Sequence, residues 1–453
     1  MITTASAEGN AYNAYSDDVL PTSRPKVLFL AYYFPPLNSS GCVRTWNIAK
    51  HLSRLGWEVT VVTPDPKLWR KVEDHEQVSM KIEREAIKQI LTDHRWRCLM
   101  PDYLRCWNQG FGWAVGGICR IIARNLGISR YVGWTRAVEQ ICSGLCPKDV
   151  DVVLASGAPF SSFGIAKQLA DRLGRPYVLD YRDPWTGNPH DVCPLGSATI
   201  REEASLLKEA TAITIVSPSW GEALDRSYGV RKKLHVISNG YDSEEMAAIK
   251  PYDFGHCAFV YTGNFYPPKR VISPFLAALK HVEESLNVTN SKWYFHYYGG
   301  QERHAYEEAK RFGLTERTVL HGKVSQREAL SAVKGARLAL VVTSVEGQGT
   351  LEDKGIVTAK IFEAIGVGTP VLVIAPNGSD ASVTTRDTGL VKSFPGSDIL
   401  GMASFIKDVI NGQSPKPKNV EIFSWTNIGK QLDTILRTAI SNRSSDRTAK
   451  GKG

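Results

Sequence analysis

Two stretches set charged side chains at the point where an apolar run ends. In "YVLDYRDPW" the run ends on Arg182 and Asp183, with Pro184 and Trp185 behind them. An arginine beside an aspartate there suits binding a phosphate or orienting a substrate hydroxyl, and Trp185 offers a flat apolar wall for a sugar or base. The alternative is an internal ion pair, worth only ~0–1 kcal/mol at an exposed position. In "YTGNFYPPKR" the run ends at Gly263, and Lys269 with Arg270 follows. Gly263 opens the backbone to a ligand, and two cations aimed at a diphosphate stabilise it as a leaving group; otherwise they are solvated charges ahead of a helix. The loop "YYFPPLNSSGCVR" ends at Ser40 and Gly41, where a helix begins. A helix N-terminus attracts phosphate, and a plain N-cap from Ser39 or Ser40 accounts for the same residues. "VTAKIFEAIGVGTPVLV" carries Lys360 and Glu363 at i, i+3 on an apolar helix. As a pair alone they contribute ~0.2–0.5 kcal/mol, in the less favourable order. Asp149 and Asp151 have the spacing of a divalent-metal pair, but they precede a strand, so no metal is expected.

The elements that position these residues alternate strand and helix. "KVLFLAYY", "EVTVVTP", "DVVLASG", "PYVLDY", "AITIVS" and "KLHVIS" form one set of apolar runs, each separated by helical periodicity. "AFVYTG", "WYFHYYGG", "TVLHGKV", "ARLALVVT" and "PVLVIA" form a second. Two such series predict an α/β chain of two doubly wound, Rossmann-like parallel sheets facing a central cleft. Ligands bind outside the carboxyl ends of strands in such sheets, so a polar residue just after a strand is a candidate and one just before it is structural. The predicted organisation is a disordered segment 1–24, an N-terminal domain 25–245 with a helical insertion at about 66–146, a C-terminal domain 246–425, a helix 426–440 and a disordered basic tail 441–453.

Composition agrees with two soluble domains. The chain has 453 residues, 43% hydrophobic and 22% charged, with a net charge of +9. No apolar run reaches the ~20 residues of a membrane span, and "MITTASAEGNAYNAYSDDVL" lacks a secretory pattern, so a cytoplasmic location is expected. The eight cysteines are scattered and read as reduced. Between Lys88 and Arg136 eight basic residues face two acids, and Trp96, Trp107, Trp113 and Trp134 lie among them. Basic and aromatic residues together suit peripheral contact with an anionic membrane on its inner face. An ordinary helical insertion is the equal alternative, and nucleic acid is not expected as a partner because no recognition motif accompanies the charge.

Taken in order, "FPPLNSSGCVRTWNIAKHL", "LDYRDPW", "VISNGYD", "YTGNFYPPK", "VLHGKVSQREALSAV" and "AKIFEAIGVGTPVLV" resemble the family 4 (group 1) glycosyltransferases of the GT-B fold, in the bacterial branch that works on cell-surface polysaccharides. The likeness runs from Lys26 to Ile440. It implies retaining, metal-independent transfer of a hexose from a UDP- or GDP-linked sugar, used as substrate with no cofactor, to a lipid-linked or other saccharide acceptor. It also implies roles: Ser40 and Gly41 on phosphate, Lys269 on the diphosphate, Lys323 and Val324 at the base, and Glu363 on the ribose. The family's first glutamate falls at Gly355, leaving Glu346, in a longer loop, to meet the donor sugar. Asn264 stands where an arginine partner of Lys269 is common, so Arg270 or Lys360 supplies the second cation. Arg182 stands where many members have a histidine, and arginine does not act as a base near neutral pH. The expected catalytic set is therefore Asp183, Arg182 and Lys269, with Gly263 admitting the donor. A nucleotide-sugar epimerase of the same fold and a non-catalytic donor-binding subunit are the alternatives.

Overall fold

The computed structural model describes residues 23–37, 39–68, 81–93, 132–188, 196–285 and 292–450. The apolar runs become strands because they have both faces to bury: β4 (Val152–Gly157), for example, has no exposed residue. With β1 (Lys26–Leu30), β2 (Glu58–Pro64), β3 (Lys88–Thr92), β5 (Tyr177–Tyr181), β6 (Ala212–Ile215) and β7 (Leu234–Val236) it forms a seven-stranded sheet of order β3-β2-β1-β4-β5-β6-β7. The second sheet comprises β8 (Cys257–Thr262), β9 (Trp293–Tyr298), β10 (Thr318–Leu320), β11 (Leu338–Val342), β12 (Val371–Ile374) and β13 (Val391–Phe394), in the order β10-β9-β8-β11-β12-β13. Every pairing is parallel, as β1 with β4 and β8 with β11.

The winding reverses between β1 and β4 in the first sheet and between β8 and β11 in the second. Those are the switch points where such sheets open a crevice at their carboxyl ends. The loop leaving β1 leads directly into Gly41 at the start of the helix Ser40–Arg54, and the loop leaving β8 carries Lys269, so topology alone brings both to a crevice.

Each sheet has an apolar cluster on either face. One N-terminal cluster recruits Trp425, Ile428, Leu432, Ile435, Leu436 and Ala439 from the last helix, Trp425–Lys450. This helix crosses the Ser40–Arg54 helix where a Cβ on Gly429 would lie 2.7 Å from that of His51, so glycine is needed for the approach. Trp57 Nε1 donates to Asp433 Oδ1 at 2.6 Å. Each fully buried side chain of this seam contributes ~1.5–3 kcal/mol relative to exposure.

Several predicted boundaries move. The last helix runs to Lys450, so residues 441–450 of the expected disordered tail are helical; their i→i−4 hydrogen bonds continue a register already fixed upstream. Within the expected insertion, β3 extends the sheet by pairing with β2, and Trp134, there expected near a membrane, is fully buried edge-on to Tyr32. The rest of the basic, aromatic stretch, at 94–131, lies outside the described residues, as does 1–22 of the expected disordered N-terminus. Tyr241 and Met246 pack in the C-terminal core while Asp242 pairs with Lys50 at 2.6 Å, so both halves hold the segment at the expected boundary.

Candidate active site

At the carboxyl end of β8, Gly263 has φ +115°. Lys360 Nζ donates to the Thr262 carbonyl at 2.6 Å, and a Cβ on residue 263 would sit 1.7 Å from that nitrogen, so only glycine admits the lysine. Lys360 comes from the Ala359–Gly366 helix, whose other faces bury Ile361, Phe362 and Ile365. Burial pushes its ammonium down to about 8, with Glu363 opposing and Arg270 adding to the shift. One turn on, Glu363 is raised by burial, with Lys360 and a 3.2 Å hydrogen bond from Gln326 Nε2 opposing. Lys360, Glu363, Gln326 and Thr262 line a cavity with an apolar floor that includes Val260 and Val341. Charge at the mouth and apolar surface below suit a nucleoside.

Gln326 opens the helix Gln326–Gly335, capped by Ser325, and the loop before it holds exposed Lys323 and core-packed Val324. This loop is anchored by a row of imidazoles that no local pattern announces: His256 Nε2 to His296 Nε2 at 2.9 Å, then His296 Nδ1 to His321 Nε2 at 2.9 Å.

Lys269 sits in the loop after β8, tied to the loop after β11 by Val345 N–H donating to the Lys269 carbonyl at 2.7 Å. Its Nζ lies 2.9 and 3.0 Å from the two oxygens of Asp353 and 3.6 Å from Glu346 Oε2. The hydrogen bond to Asp353 raises the Lys269 ammonium above its usual range. The structure therefore brings Glu346 to Lys269 and adds Asp353, buried and absent from the predicted set. Its one sequence signal is the Thr350-x-x-Asp353 spacing, in which Thr350 caps the short helix Leu351–Lys354. Asn264 is exposed, and its carbonyl accepts from Tyr261 Oη. The Arg270 guanidinium lies over the Tyr266 ring at 5.0 Å, and its buried Nε has no protein partner.

In the N-terminal half, Ser39 is the cap: its Oγ accepts from Gly41 N–H at 3.3 Å, so Ser40 opens the helix. Arg182 Nη1 donates to the Gly41 carbonyl at 3.0 Å, and its guanidinium stands 5.1 Å from the centre of the Tyr33 ring. Asp183 lies 3.6 Å from Arg182 Nε with a side chain 41% exposed. Arg182, Asp183 and Gly41 thus share one rim, while Trp185 is stacked on Phe160 at 5.2 Å, so one ring face serves packing. Behind this rim lies a pair the sequence did not single out. Arg44 makes a bidentate contact with Asp180, 2.7 Å from Nη2 to Oδ1 and 3.0 Å from Nε to Oδ2. Burial works against the Asp180 charge, but Arg44, helped by Thr214 and Ser156, outweighs it and holds the carboxyl below its usual range. Asp149 and Asp151 serve backbone N–H groups of Cys146 and Lys26, as their place before β4 implied.

The halves meet beside the site. Trp220 Nε1 donates to the Glu352 carbonyl at 2.8 Å, and Ser219 donates to Asp380 through N–H and Oγ, both at 2.7 Å. A Cβ on Gly187, in the loop after β5, would lie 3.9 Å from Glu352 Cγ. The Arg182 loop therefore runs alongside the segment that bears Asp353.

Comparison with known proteins agrees with this geometry. Residues 43–245 match the model of Glycosyltransferase Family 4, and residues 256–411 match Glycosyl transferases group 1. No curated protein matches in sequence. Among solved structures, sucrose-phosphate synthase from Thermosynechococcus elongatus aligns with TM-score 0.54 at 14% identity, over 95% of this chain and 100% of that one. Anabaena HepE, solved with UDP and glucose, gives 0.56 at 14%, over 92% and 100%. A glycosyltransferase from Rickettsia africae gives 0.54 at 15%, over 93% and 94%. These likenesses establish the fold. With each half matched by its own family and the two sheets wound as in these enzymes, the chain belongs to the family 4, group 1 glycosyltransferases of the GT-B fold.

Proposed function

We propose that this glycosyltransferase moves a hexose from a UDP- or GDP-linked sugar to a saccharide acceptor carried on a lipid, with retention and without a metal or cofactor, in building a surface polysaccharide. The observation that carries the reading is the meeting of Lys269, from the loop after β8, with Lys360 and Glu363, from the helix Ala359–Gly366, around the carboxyl end of β8, a set with the chemistry to hold a nucleoside diphosphate. That HepE was solved with UDP supports a nucleotide donor of this class.

In this reading Glu363 accepts from the ribose hydroxyls, Val324 and Lys323 border the base, and Glu346 reaches the sugar. The bond from the anomeric carbon to the phosphate oxygen breaks as the acceptor oxygen forms its bond on the same face. The departing phosphate takes the acceptor proton, so no side-chain base is needed. Lys269, with Arg270 and Lys360, receives the charge that develops on the diphosphate, and such preorganised cations supply the largest share of rate enhancement in many enzymes. Asp183 orients the acceptor hydroxyl, and Arg182 holds the Gly41 rim. Cytoplasmic placement with contact to the inner membrane face follows from a lipid-linked acceptor; among the described residues no helix is long and apolar enough to cross a membrane.

The test is incubation with a panel of nucleotide sugars and lipid-diphosphate saccharides, with and without chelator. Expected are acceptor-dependent release of nucleoside diphosphate, a matching gain in product mass, retained anomeric configuration by NMR, and no loss with chelator. Donor isomerisation without acceptor would favour the epimerase, and binding without either outcome the non-catalytic subunit. Flotation with anionic vesicles tests the membrane contact, and a protein that stays in the dense fraction excludes it.

A further inference from the structure

The position eight before Glu363 is Gly355, and the structure gives a steric reason for glycine there. A Cβ on residue 355 would lie 2.2 Å from Cδ1 of Trp220, which belongs to the other domain. The indole occupies the space a side chain would need. Its Nε1 also donates to the Glu352 carbonyl at 2.8 Å, and the next residue, Ile356, is buried in the N-terminal core with Trp220 and Leu224. The segment 352–356 is thus part of the C-terminal chain but docked on the N-terminal domain. Ser219, beside Trp220, doubles the attachment through the Asp380 carboxylate.

Asp353 stands in the middle of this docked segment. Its carboxylate spans Lys269 Nζ at 2.9 and 3.0 Å, and Thr350 holds it from behind, Oγ1 to Oδ2 at 3.3 Å. Lys269 itself is 44% exposed at its side chain and on a loop, so Asp353 is the fixed member of the pair. An ammonium has three N–H donors, so it can keep Asp353 while serving a phosphate.

We propose that Asp353 is a positioning residue that aims Lys269 at the donor diphosphate, and that the N-terminal domain holds Asp353 in place through Trp220 and Ser219. Domain contact then sets the placement of the cation. What Lys269 does rests on the donor site proposed above; the docking itself does not.

The test begins on ligand-free protein. Lysine acylation read by mass spectrometry follows Lys269, with Lys280, held by Glu283 elsewhere in the same domain, as internal control. Asp353→Asn removes the anion that favours the charged ammonium, so Lys269 labels several-fold faster, up to tenfold for each pKa unit released. Trp220→Phe keeps the ring and loses the indole N–H; Lys269 labelling rises, and amides 350–356 exchange faster. Ser219→Ala, a milder change, moves both readouts the same way. The double variant Trp220→Phe with Asp353→Asn labels no faster than Asp353→Asn alone. The proposal is overturned if Trp220→Phe and Ser219→Ala leave Lys269 at the wild-type rate, or if Lys280 speeds up equally. With UDP and uridine as probes, Asp353→Asn weakens UDP binding and leaves uridine unchanged; equal loss of both makes Asp353 merely structural. If labelling follows the expected pattern while wild type binds no UDP or GDP, the donor-site reading fails and the docking stands.

Discussion

The two halves treat charge in opposite ways at the same place in the fold. In the N-terminal half the pair Arg44 with Asp180 is sealed behind the rim, the side chains 2% and 0% exposed, and each side-chain nitrogen and oxygen of the pair is hydrogen-bonded within the protein. In the C-terminal half one partner is buried and the other faces outward: Asp353 at 4% holds Lys269 at 44%. A sealed pair fixes architecture, because desolvation consumes most of its attraction. A half-exposed one leaves a cation oriented and free to meet an anion. The difference assigns rigidity to the N-terminal half and an oriented, accessible cation to the C-terminal half.

This contrast can be broken or sharpened by substitution. Arg44→Ala or Asp180→Ala strands a buried charge and should lower stability in urea by about 3–5 kcal/mol; a loss under ~1 kcal/mol would contradict the sealed-pair description. Lys269→Ala should lower kcat/KM by roughly 10²–10³ with a smaller loss of stability than in the sealed pair, because water can take the exposed lysine's place at Asp353. Among the described residues each half buries one histidine: burial pushes His51 down to about 4 with Asp242 opposing, and His296 down to about 4 with His321 and His256 adding. Both are neutral when folded and take up a proton when unfolded. Their stabilisation is complete above ~6.5 and is lost as pH falls towards 4, at up to about 1.4 kcal/mol per unit for each. Urea titrations from pH 7 to 5 on His51→Gln and His296→Gln should each show a shallower slope than wild type. For Lys360, at about 8, UDP affinity should fall as pH rises through that value, by about tenfold at most, and Lys360→Gln should abolish the step. Asp183→Asn should change stability by less than ~1 kcal/mol while raising the acceptor KM; a donor KM that moves instead would place Asp183 in the other half of the chemistry.

The doubly wound plan was legible because parallel strands buried on both faces read as unbroken apolar runs, and the switch points followed from strand order. Edge strand β3 was not, since "KQILT" mixes exposed and buried positions and resembles a surface segment. At the site, Lys360, Glu363 and Lys269 could be picked out by standing after strands. Asp353 could not, because the segment that bears it is docked by Trp220 at Glu352, 132 residues away on the other domain, and no local pattern encodes such a contact. Asp180 and Asp183 lie three apart in one motif, yet Asp180 falls within β5, buried on both faces, and Asp183 in the loop beyond it, a boundary the motif does not mark.

The last helix has a consequence for how the molecule is made. The Trp57 indole finds its partner in Asp433, 376 residues later, and the cluster around it stays unfinished until that helix arrives. During synthesis at ~5–20 residues per second, the N-terminal half waits for tens of seconds with an open apolar face. Domains usually complete in order as they leave the ribosome; here the first can close only after the second, so the chain's end is also the lid on its beginning.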